Sequence, residues 1–209
     1  MKTFDILTET DARQLERGST VALSPKGHVT PLALDTLRDR KITLLRSVVD
    51  TDMAGLAPVA AIRAVAIGSD HSGVALKGAL RDHLRRKGVA VVDVGTDGTD
   101  PVDYPDIAAQ VARLVARKEA DAGIVIDGAG LGSAIAANKI DGVRAAMCTD
   151  KTLARYSREH NGANVLALGA TLVTKDDAVA IVDTWMGTPM LEARYIRRLA
   201  KVNALEKTQ

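Results

Sequence analysis

The chain has 209 residues, room for one full domain with a small appendage but not for two large independent domains. Lys and Arg number 28 against 26 Asp and Glu, a formal net charge of +2, too balanced to make nucleic acid or an anionic membrane the default partner. Aromatic residues are only 2% of the chain, which rules out the stacked-ring platforms of single-strand binders and leaves the core to Ala, Val, Ile and Leu.

The first 60 residues read as a separate unit. Residues 11–17 have a helical pattern and 20–23 a strand-like one. Thr30-Pro31 is a helix start, with Thr as N-cap and Pro at the first helical position, and that helix runs to about residue 41 before a short strand at 42–45. Residues 50–58 read as a linker. A β-α-β extension this small has little core of its own, so it is expected to dock on the main domain or on a partner.

From residue 61 to 209, short apolar runs alternate with amphipathic segments. Strands are expected at 62–67, 89–94, 122–126, 143–147 and 164–168, and helices at 74–87, 104–117, 132–139, 151–160 and 175–185, with a last helix over 189–205. Five such repeats specify an α/β domain with a five-stranded parallel sheet and right-handed crossovers. Ligands of such sheets sit beyond the carboxyl ends of the strands, which directs attention to the strand-ending loops.

The most informative loop is Gly128-x-Gly130-x-Gly132 after the third of these strands. Glycines let the backbone approach a ligand, and the helix that follows offers free N–H groups to an anion; the alternative is a tight strand-to-helix connection. A dinucleotide fingerprint is not met, because Ser133 stands where its third glycine belongs. Asp70-His71 either contacts a ligand or caps the next helix, and His160-Asn161 either acts in a site or stops its helix ahead of Gly162. Arg194 and Arg198, four apart on one helix face, could grip a phosphate. The acidic run Asp93, Asp97, Asp100, Asp103, Asp106 does not fit a calcium loop, so no metal is expected. The single Cys148 cannot form an internal disulfide and reads as a buried structural thiol. Without an apolar leader or a run near 20 apolar residues, the chain reads as cytoplasmic, with no membrane partner.

Taken together, 68–77 (GSDHSGVALK), Asp103-Tyr104-Pro105, 128–132, 135–139 (IAANK), Gly142-Val143-Arg144 and His160-Asn161 resemble the type B ribose-5-phosphate isomerase family, which includes the galactose-6-phosphate isomerase subunits. The resemblance covers residues 63 to about 205. It implies a Rossmann-like α/β/α sandwich and aldose-ketose isomerisation of a phosphorylated sugar, ribose 5-phosphate or a related tetrose or pentose phosphate, without cofactor or metal. It further implies a homodimer or homotetramer whose site is shared between chains. By position, Asp70 and His71 would contact sugar hydroxyls and phosphate, Tyr104 would line the pocket, and the amides of Gly128, Gly130 and Gly132 would hold the enediolate oxygens. His160 would open the sugar ring with Asn161 supporting it, and Arg194 and Arg198 would bind phosphate.

The departures from that pattern concern the chemistry itself. Many members place a Cys base where this chain has Asp127, and others a Glu base where it has Ser133; a Thr and an Arg of the pattern correspond to Ala129 and Thr171. Asp127 is therefore the expected base of the proton transfer, or else a cap of the glycine turn. In the second case the chain would have drifted to another reaction or lost activity, and a separate alternative is a catalytically impaired sugar-phosphate-binding subunit of a heteromeric isomerase. Residues 18–41 resemble the amino-terminal segment of ethanolamine-utilisation-type cobalamin adenosyltransferases, which raises docking in a bacterial microcompartment as a role for the extension; the alternative is a strand-helix arm that stabilises the oligomer.

Overall fold

A computed structural model describes residues 2–46, 56–59, 61–190 and 192–208. The chain separates into two compact units, one made of 1–61, 158–162 and 187–209, the other of 62–157 and 163–186. The first boundary falls between residues 61 and 62, and the carboxy-terminal helix groups with the amino-terminal unit rather than with the larger one.

The larger unit carries strands β4 (Ala64–Ser69), β5 (Ala90–Asp93), β6 (Ala122–Asp127), β7 (Ala145–Met147) and β8 (Val165–Gly169), all parallel, in the order β5-β4-β6-β8-β7. Helices α3 (Val74–Arg86), α4 (Tyr104–Ala116), α5 (Leu131–Ala137) and α6 (Lys151–Glu159) connect them, and α7 (Lys175–Gly187) follows β8. Alternation along the strands divides the core between two faces. Val65, Ile67, Ile124 and Ile126 pack with Leu80 and Leu84 of α3 and with Trp185 of α7, while Ala66 and Val125 pack with Val111 and Ala112 of α4 and Ala137 of α5. This is the Rossmann-like sandwich of the sequence reading. The chain leaves β4 towards β5 and returns on the other side as β6, so the topological switch lies between β4 and β6, where Asp70 follows one strand and Asp127 ends the other.

The smaller unit is richer than the expected β-α-β piece. Its three parallel strands, β1 (Thr3–Leu7), β2 (Thr20–Val29) and β3 (Thr43–Arg46), alternate with α1 (Glu9–Gln14) and α2 (Pro31–Asp39). Leu7, Leu15, Val21, Leu23, Leu37 and Leu44 form its core. Thr8 and Asp11 cap α1 reciprocally, and the Thr30 hydroxyl accepts from the Ala33 N–H at 3.3 Å with Pro31 behind it. β2 pairs with β1 twice, through Phe4 to Leu23 and Ile6 to His28, so residues 24–27 bulge out opposite Asp5. Helix α8 (Ala193–Ala204) places Tyr195, Ile196 and Leu199 in one apolar cluster with Ala22 and Leu45 of this sheet, which is why it groups with the smaller unit. Of the expected linker, 50–55 lie outside the described residues. Among the described residues no helix is long and apolar enough to cross a membrane.

Candidate active site

Asp127 is the last residue of β6 and is 4% exposed. Its Oδ1 accepts from the Ala129 N–H at 2.8 Å and from the Gly130 N–H; its Oδ2 accepts from the Ser133 N–H at 2.8 Å. The carboxylate thus closes the glycine turn on itself and caps α5. This corrects the expectation that the Gly130 amide is free to hold a substrate oxygen, since a side chain one turn away already takes it. These three bonds make Asp127 a cap; a base would need a lone pair that they leave unused. A carboxylate offers about four lone-pair positions. Three are spent on amides here, two of them on Oδ1, so Oδ2 alone keeps an unspent one.

Gly130 adopts φ +77, and a Cβ there would lie 2.8 Å from the Leu168 carbonyl carbon, so both conformation and space demand glycine. Gly132 is required differently: a Cβ would lie 2.5 Å from the Tyr104 ring, which rests over the turn from the first position of α4. Thr171 donates to the Gly128 carbonyl from its N–H at 3.0 Å and its hydroxyl at 2.7 Å, fastening the β8 loop to the same turn.

Asp70 sits beside this turn, its N–H donating to the Ile126 carbonyl at 3.1 Å. Its Oδ1 accepts from the Ser72 N–H at 2.9 Å and hydroxyl at 2.6 Å, so it caps the short turn His71–Gly73 that leads into α3. His71 is exposed, and its Nδ1 accepts a long 3.4 Å bond from the Val102 N–H just ahead of Tyr104. A cleft of ≈ 260 Å³ opens alongside, lined by Ser72, Ala75, Ala79, Val173 and Lys175 among others. The larger unit therefore brings together Asp70, His71, Tyr104, Asp127 and Gly128 to Gly132.

His160, Asn161, Arg194 and Arg198 belong to the smaller unit. There the His160 and Tyr195 rings lie 4.5 Å apart, and the Arg194 and Arg198 guanidiniums lie 4.7 and 5.8 Å from the Tyr195 ring centre. Asn161 is exposed after the end of α6. Two features were beyond sequence reasoning. Tyr195 links three candidate residues, and Lys77, buried on α3, binds Asp93 at 2.7 Å, the Gly95 carbonyl at 3.3 Å and Asp97 at 2.9 Å, so the first part of the acidic run is neutralised from within.

Residues 65–202 match the model of the ribose/galactose isomerase family. The chain belongs to that family. Ribose-5-phosphate isomerase B of Escherichia coli is 42% identical over 146 residues, 70% of this chain and 98% of the relative. The structure of ribose-5-phosphate isomerase B from Clostridium thermocellum superposes with a TM-score of 0.68 at 49% identity, covering 69% of this chain and 97% of the other. That of Mycoplasma genitalium, solved with bound ribulose-5-phosphate, gives 0.67 at 37% identity, covering 70% and 97%. The isomerase match begins after the small three-stranded sheet.

Proposed function

We propose that this protein interconverts the aldose and ketose forms of a phosphorylated sugar, ribose 5-phosphate and ribulose 5-phosphate or a tetrose or pentose phosphate close to them. The family supports the reaction, and one observation supports the residue: a carboxylate at the topological switch, immobilised by three amides with one lone pair of Oδ2 unspent. In this reading Asp127 Oδ2 takes the proton from C2 of the open-chain aldose. The C–H electron pair forms the C1–C2 double bond of an enediolate as the C1 carbonyl oxygen gains charge. The proton returns at C1 while the C2 hydroxyl proton passes to the C1 oxygen, leaving the C2 carbonyl and C1 hydroxyl of the ketose. Triosephosphate isomerase likewise uses a carboxylate for this step. Fixing the base in advance avoids reorganisation in the transition state.

His160 opens the sugar ring, Asn161 supports it, and Arg194 and Arg198 grip the phosphate. Asp70 and His71 meet the hydroxyls, with Tyr104 as a wall of the pocket. The homodimer or homotetramer with a shared site, the cytoplasmic setting and the microcompartment role of the extension belong to the same reading. The test is a panel of tetrose, pentose and hexose phosphates followed by exchange of the C2 proton with solvent, using Asp127→Asn as control. Exchange with a pentose or tetrose phosphate that vanishes in the variant supports the assignment; full turnover in the variant removes Asp127 as base.

A further inference from the structure

Tyr195 is 8% exposed, seated in an apolar cluster with Met190, Ile196 and Leu199, with Ala22 of β2 and with Leu45 of β3. Its ring lies 4.5 Å from the His160 ring at an interplanar angle of 32°. Its hydroxyl accepts a 2.9 Å hydrogen bond from Arg194 Nη2, and the Arg194 and Arg198 guanidiniums lie 4.7 and 5.8 Å from its centre. One ring therefore touches an imidazole and two guanidiniums. Among the described residues neither Arg194 nor Arg198 makes an ion pair, so two cations are gathered around a neutral ring and their carboxylate-like partner is left to an incoming anion.

We propose that Tyr195 is a positioning residue that holds His160, Arg194 and Arg198 in one array, and that the amino-terminal sheet sets this array by seating the ring. The proposal rests on the roles given to those three residues under the proposed function. Long Arg side chains lose rotamer freedom when they grip a phosphate, and contacts made beforehand to the ring reduce that loss. The imidazole gains the same restraint from the stack. The tyrosine itself is rigid because its surroundings are: Ala22 and Leu45 lie on adjacent paired strands, opposite one another in register. The extension thereby acquires a part in the isomerase site without supplying any group that touches substrate.

The test compares Tyr195→Phe, Tyr195→Leu, Leu45→Ala and Arg194→Gln in the full-length chain. It measures KM, kcat and competitive inhibition by inorganic phosphate, with melting curves showing that each variant is folded at the assay temperature. Tyr195→Phe keeps the stack and loses the hydroxyl, so phosphate inhibition weakens about threefold with kcat unchanged. Tyr195→Leu loses both, so inhibition weakens about tenfold and kcat for the cyclic aldose falls as well. Leu45→Ala weakens inhibition in the same direction by about twofold; if it does not fold, Leu45→Val replaces it. Wild-type phosphate inhibition in both Tyr195 variants, while Arg194→Gln loses it, overturns the positioning role alone. Wild-type inhibition in Arg194→Gln overturns the phosphate assignment beneath it. Unchanged inhibition in the Leu45 variant, with Tyr195→Leu impaired, overturns the part given to the sheet.

Discussion

The Asp127 carboxylate accepts a 2.8 Å hydrogen bond through Oδ2 from the backbone N–H of Ser133, six residues further along. These are the two positions at which relatives of this chain are expected to carry a Cys or a Glu base. Here one holds the other, so the oxygen proposed to move the proton is fixed by the residue that took the alternative base's place.

Asp127→Asn tests the structural half of that relationship. An asparagine can present its carbonyl oxygen to Ala129 and Gly130, but its NH2 then faces the Ser133 N–H, donor against donor, in a buried site. The expected cost is about 1–3 kcal/mol of folding stability, read by urea denaturation. Unchanged stability would mean that the carboxylate does not hold the turn.

Gly130→Ala and Gly132→Ala separate backbone demand from side-chain demand. At Gly130 an added methyl meets the Leu168 and Gly169 backbone in a left-handed conformation, so a loss of about 2–4 kcal/mol is expected. At Gly132 its nearest neighbours are atoms of the half-exposed Tyr104 ring, which can swing away. That variant should melt near the parent temperature yet show a raised KM if Tyr104 is the pocket wall proposed above. Equal destabilisation of the two would contradict this assignment.

Lys77 is 1% exposed in its side chain and pairs with Asp93 and Asp97, while Arg81 also reaches Asp93 at 3.1 Å. Lys77→Met keeps the volume but leaves Asp93 half neutralised, at an expected cost of about 2–4 kcal/mol. Hydrogen bonding and charge from Lys77 hold the Asp97 carboxyl below the usual carboxylate range. At Asp183 burial opposes ionisation, but hydrogen bonds from Lys87 and His83 outweigh it and its carboxyl is lowered too. Carboxyls depressed in the folded state stabilise it above about pH 4 and cease to do so as pH falls through their lowered values. The acid limb of the stability profile should therefore be shallower in Asp183→Asn; an identical limb would refute the contribution.

Burial pushes the Cys148 thiol up to about 11. The protein should resist iodoacetamide at pH 8 until it is unfolded. A raised thiol contributes stability that is complete below about pH 8.5 and is lost as pH rises towards that elevated value. Cys148→Ala should flatten the alkaline limb, and rapid alkylation of the native chain would show that the thiol is reachable.

The larger sheet was legible because β4, β6 and β8 are buried on both faces and read as unbroken apolar runs. β1 was not, because only Leu7 of its five residues is buried and no alternation survives. The glycine turn announced a site, but not that its own aspartate would occupy the Gly130 amide, since Ser133 returns to Asp127 only once α5 has begun to wind. Lys77 looked like an ordinary helix lysine because its partners lie 16 and 20 residues away on another element. The pattern of α8 put Arg194 and Arg198 on one face but did not tell that β2 and β3 would pack against another.

The smaller unit joins residues 1–61 to 187–209, with more than 120 residues of chain between them. During synthesis the first segment emerges long before the last, so its apolar surface around Ala22 and Leu45 stays unsatisfied until α8 has been made. Closing so distant a contact is slow, because the loop entropy is lost before the packing rewards it. A ribosome that stops short of residue 187 releases a chain with the whole larger sheet encoded but without the helix whose Tyr195, Ile196 and Leu199 cluster with Ala22 and Leu45.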